Sequence, residues 1–94
     1  MKNRQLYKDL LQMDGQDKYI RKMVEELTEL QLSLLHWQSG KSTAYDIAVE
    51  IADVKIQLEK ALELYGLDQR ADKIYNDKVR ELEDYVYHDP NFRL

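Results

Sequence analysis

The chain has 94 residues, enough for one small domain. Such a chain removes only roughly 60–65% of its extended surface on folding, so its own core is thin. With 44% hydrophobic and 34% charged residues it is globular, neither disordered nor membrane-embedded. The lack of cysteine excludes disulfide scaffolds, thiolate zinc sites and cysteine nucleophiles, and two histidines are too few for an all-imidazole metal site. A net charge of −4 disfavours a general nucleic-acid binder, which draws its affinity from neutralising phosphates.

One proline and three glycines leave few breakpoints and favour long helices. Residues 1–16 form a lead-in in which Leu6, Leu10 and Leu11 share one side of a short helix that ends at Asp14-Gly15. The basic start has no apolar segment behind it, so no signal peptide is expected. From about 17 to 38, Ile20, Met23, Val24, Leu27, Leu30, Leu34 and Trp37 recur at three- and four-residue steps, a helix with Asp17 as its N-cap. Ser39-Gly40 stops it.

Thr43 or Ser42 caps the next helix, which runs to about Tyr65 and ends at Gly66. Its main stripe is Ala44, Ile47, Ile51, Val54, Leu58, Ala61, Leu62 and Tyr65. Tyr45, Ala48, Val49, Ala52 and Ile56 lie roughly opposite. A helix apolar on two sides is buried on two sides, so a second subunit is expected against one of them. The last helix, from near Asp68 to near Tyr87, carries Ala71, Ile74, Tyr75, Val79, Leu82, Tyr85 and Val86. The tail from His88 holds the only proline and is expected to be irregular, with His88 in solvent. No run approaches the roughly 20 apolar residues of a membrane span. The expected fold is all-α: a compact helical bundle of three main helices plus a short N-terminal one, its core completed by oligomerisation. A cytoplasmic location is expected.

Two acidic clusters carry the chemistry. Glu25-Glu26-Leu27-Thr28-Glu29 lies on the first long helix and Glu50-Ile51-Ala52-Asp53 on the next. Residues three apart on a helix are neighbours, so Glu26 with Glu29, and Glu50 with Asp53, form carboxylate pairs. Neither cluster has a lysine or arginine four residues on, since Ser33 follows Glu29 and Val54 follows Glu50 at that step. The short 39–42 connection implies antiparallel packing, with Glu29 and Glu50 about ten residues either side of the loop. An acidic run on a helix is commonly a solvated face. Two clusters at matched depth beside apolar stripes instead suggest carboxylates gathered around a hard cation, Mg²⁺ or Mn²⁺.

The sequence Glu25-Glu26-x-x-Glu29, twenty residues, then Glu50-x-x-Asp53 within Val49-Glu50-Ile51-Ala52-Asp53-Val54 resembles the signature of MazG-like nucleoside-triphosphate pyrophosphohydrolases. These belong to the all-α NTP pyrophosphatase superfamily, and the resemblance spans about 18–82. It implies helical dimers or tetramers and Mg²⁺-dependent cleavage of (d)NTP to monophosphate and pyrophosphate. Carried over, Glu26, Glu29, Glu50 and Asp53 hold metal, and Glu25 is an accessory ligand or water-orienting base. Phosphoribosyl-ATP pyrophosphohydrolases share these acids, and a non-enzymatic helical dimerisation module shares the apolar faces.

A triphosphate also needs cationic partners, for which the last helix offers Lys73, Asn76, Lys78 and Arg80. Lys78 falls within the apolar stripe, where it either snorkels to the surface or meets phosphate. Asn76-Asp77-Lys78 resembles the family's Asn-x-Lys, while Glu81 stands where the family has arginine. At the end of the first long helix, Trp37 is either core or a stacking face for a base, with His36 and Gln38 offering hydrogen bonds.

Overall fold

Four helices make up most of residues 1–91, the part of the chain that a computed structural model describes: α1 (Arg4–Asp14), α2 (Gln16–Gln38), α3 (Ala44–Tyr65) and α4 (Asp68–Tyr87). No strand occurs among the described residues. Residues 88–91 form turns, and the expectation for the rest of the tail falls on 92–94, outside the described residues.

The breaks follow from local chemistry. Thr43 and Asp46 form a capping box: Thr43 Oγ1 accepts from the Asp46 amide at 3.1 Å, and Asp46 accepts from the Thr43 amide at 2.9 Å. Gly66, with φ at 63°, turns the chain left-handed and lets the Leu67 amide reach back to the Leu62 carbonyl. Gly15, at φ 83° and ψ 158°, occupies a conformation open essentially to glycine and joins α1 directly to α2. Asp17 accordingly sits in the first turn of α2, beyond the capping position, where its charge favours the positive helix end.

α2 and α3 pack antiparallel and form the centre of the molecule, with α1 lying across both. The shared face is half polar. Tyr7, Tyr19, Met23 and Val54 are buried, together with Glu26, Gln57 and Lys60. Tyr7 donates its hydroxyl to Glu59 Oε1 at 2.6 Å, tying α1 to α3. Arg4 bonds Glu63 at 2.5 Å and also Asp68, which fastens the start of α4.

Apart from the Arg4–Asp68 pair, α4 packs against α3 only, and it buries no residue. Ile74, Tyr75, Leu82 and Tyr85 of its stripe are exposed, as are Leu27, Leu34 and Trp37 on α2 and Tyr45, Val49, Ile51, Ile56 and Leu58 on α3. The protomer measures 55 × 37 × 20 Å with a radius of gyration of 17.2 Å, against about 12–13 Å for a compact chain of this length. The helices therefore stand where periodicity put them, while most of their apolar stripes have no partner within the protomer.

Candidate metal centre

Antiparallel pairing of α2 with α3 brings Glu26, Glu29 and Glu50 together, one carboxylate oxygen of each lying within 4.8 Å of the others. Asp53 is half-buried, and its side chain, like that of Glu29, bears on the Glu26 carboxyl; it is not part of the close trio. Glu26 is only 5% exposed. Glu26 Oε2 and Glu50 Oε2 are both buried without a hydrogen-bond partner among the described residues. An unpartnered buried acceptor costs about 1–3 kcal/mol, more when charged, so a donor or cation at these oxygens would be stabilising.

One local expectation is corrected. Neither cluster has a cation four residues on, but Glu26 has one four residues before it: Lys22 Nζ lies 2.8 Å from Glu26 Oε1. That bond holds the Glu26 carboxyl below the ordinary range, against the opposing effect of burial. It leaves Oε2 unpaired. Glu29 is pushed the other way, chiefly by the charge on Glu26, then by burial and by Glu50. One ammonium thus neutralises one of three converging carboxylates. The remaining donor set is all oxygen with no imidazole or thiolate, which fits a hard divalent cation such as Mg²⁺ or Mn²⁺.

The other anticipated residues are more dispersed. Glu25 is exposed and lines a cavity beside the trio. His36 and Trp37 are exposed at the loop end of α2, Trp37 by 52%, so Trp37 is no core residue of the protomer. Trp37 stands about 12 Å along the helix axis from Glu29, by the rise of eight residues. Lys73, Asn76 and Lys78 are exposed on α4, which makes no contact with α2, and Lys73 pairs with Asp77 at 3.3 Å. The protomer does not bring these three to the carboxylates.

Sequence reasoning passed over Tyr19, Gln57 and Lys60. Lys60 is 2% exposed, donates to Gln57 Oε1 at 2.8 Å and lies 4.2 Å above the Tyr19 ring. Burial pulls its pKa below the usual lysine range. The available signal was the run Tyr19, Met23, Glu26, Leu30, Ser33. It repeats at helical steps but is rotated roughly 60° from the purely apolar stripe.

No protein-family model, no characterised protein and no solved structure matches this chain, so its function has to be read from these side chains.

Proposed function

We propose that the chain is a Mg²⁺-dependent nucleoside-triphosphate pyrophosphohydrolase of the MazG-like kind, converting (d)NTP to (d)NMP and pyrophosphate. The observation that carries this is the convergence of Glu26, Glu29 and Glu50 from two helices, with two buried carboxylate oxygens left unpartnered. A module built only for assembly has no use for that arrangement. Glu26, Glu29 and Glu50 would hold the cation, with Asp53 completing its surroundings. When bound, Mg²⁺ polarises phosphoryl oxygens and carries part of the leaving pyrophosphate's charge.

Glu25, exposed one residue before the first ligand, is the proton acceptor in this scheme. It takes a proton from the water whose oxygen bonds to the α-phosphorus, as the bond to the α–β bridging oxygen breaks and pyrophosphate departs. Trp37 offers its exposed ring to a base.

A homo-oligomer is part of the same reading. The protomer exposes 7778 Å² where a compact chain of its size exposes about 5,700 Å². The excess is larger than the ~800 Å² per partner of an ordinary interface. A second copy would cover the open stripes and could carry Lys73, Asn76 and Lys78 of its α4 toward the carboxylates. No described helix is long and apolar enough to cross a membrane, in keeping with a cytoplasmic nucleotide-pool role. The test is a panel of nucleotides assayed for pyrophosphate release with Mg²⁺ and with Mn²⁺. Metal-dependent release from nucleoside triphosphates is expected and should be abolished by Asp53→Asn or Glu50→Gln. Release only from phosphoribosyl-ATP would move the chain to that neighbouring activity. No release from any nucleotide would contradict the proposal.

A further inference from the structure

Beside the carboxylates lies a cavity of about 520 Å³ between α1, α2 and α3, within the size range of small-molecule sites. Its charged lining is uneven: Lys18, Arg21, Lys22 and Lys60 against Asp14 and Glu25. In a chain of net charge −4, an excess of two positive charges around one cavity, with Lys60 buried and the other three at its exposed rim, has to be explained. Lys18 has only a 3.5 Å contact to Asp14, and Arg21 makes no hydrogen bond or ion pair among the described residues. Lys60, buried on amide and ring contacts alone, lacks a carboxylate partner. Lys18 and Arg21 are thus weakly held or free, and Lys60 is held without an anion.

The fourth joins the two sites. Lys22 lines the cavity and bonds Glu26 at 2.8 Å, so the cavity wall and the edge of the metal centre are the same side chain. A divalent ion arriving at Glu26 would compete with that ammonium, and Lys22, being on the cavity wall, would then be open to an anion there.

We propose that this cavity seats the outer two phosphates of a nucleoside triphosphate whose inner phosphate lies at Glu26, Glu29 and Glu50, with Lys22 passing from Glu26 to the phosphates. The assignment rests on the hydrolase reading for the inner phosphate but not for the cavity's affinity. The pocket's cations belong to α2 and α3 of one protomer, so the seat needs nothing from α4.

Calorimetric titration separates the two. In EDTA, inorganic pyrophosphate should bind the wild-type chain, and Arg21→Gln or Lys18→Gln, both exposed substitutions, should weaken it about tenfold. In Mn²⁺, Arg21→Gln should weaken an α,β-methylene nucleoside triphosphate to the same extent while changing the nucleoside monophosphate less than twofold. Lys22→Gln should weaken the analogue yet tighten Mn²⁺ alone. No pyrophosphate binding in EDTA, unchanged affinity in both variants, or equal losses for triphosphate and monophosphate would overturn the seat even where Mn²⁺ binds. Absence of Mn²⁺ binding with the Arg21 effect intact would instead refute the metal centre and leave the cavity as a phosphate site.

Discussion

Replacing Glu50 with glutamine keeps the side chain's shape and removes one charge from the converging trio. Glu26 and Glu50 present oxygens no more than 4.8 Å apart. At an effective dielectric of about 20, two unit charges at that separation repel by about 3.5 kcal/mol. Lys22, bonded to the other oxygen of Glu26, and water at the Glu29 rim cut this to about 1–2 kcal/mol of net strain. Without metal, Glu50→Gln should therefore be the more stable protein, melting several degrees higher at about 4–8 °C per kcal/mol. Adding Mg²⁺ or Mn²⁺ reverses the order. The wild-type chain gains about 2.7 kcal/mol at a hundredfold excess over Kd, and the variant, with a poor amide ligand, gains little. Thermal melting in EDTA and across a metal series reads both limbs. A variant that melts lower than wild type in EDTA, or that gains as much from metal, would refute the electrostatic reasoning.

Further outcomes follow from other parts of the structure. Arg4 holds the Asp68 carboxyl below its ordinary pKa, so that pair stabilises above the usual aspartate range and its contribution is lost as pH falls through the depressed value. The melting gap between wild type and Asp68→Asn should thus be widest near neutrality and close under acid conditions; a constant gap would contradict it. Trp37→Ala, at an exposed site, should change stability by less than about 0.5 kcal/mol while raising KM for nucleotide severalfold. An unchanged KM in steady-state assays would remove Trp37 from the base site. Ala52→Glu places a charge on the second apolar side of α3, and sedimentation should show the proposed homo-oligomer shifting to monomer. Retention of the wild-type assembly would mean that this side is not the interface.

Helix positions were legible because their signals are local. The Thr43 cap, the Gly66 stop and the three- and four-residue spacing act within a turn or two, and α3 and α4 run between the anticipated ends. The meeting of Glu26, Glu29 and Glu50 was legible for a related reason: a short loop forces antiparallel helices, and counting outward from it matches their levels. Burial was not legible. The apolar stripe marks Leu27 and Leu34 as inward, whereas α2 buries Tyr19 and Glu26, half-buries Ser33 and leaves both leucines exposed. A stripe fixes which residues avoid water but not whether the cover is another helix or another chain. Lys60 carries no sequence signal, because a buried lysine is rare and gives no pattern of its own.

If the converging carboxylates of α2 and α3 form one divalent-cation site, direct titration of Mn²⁺, followed by the loss of its free-ion resonance signal, detects it without any substrate. Wild-type protein should take up Mn²⁺ saturably and yield it to excess Mg²⁺, with Glu26→Gln and Glu50→Gln each losing at least tenfold in affinity. Non-saturable uptake, or the same affinity in both variants, would contradict the account.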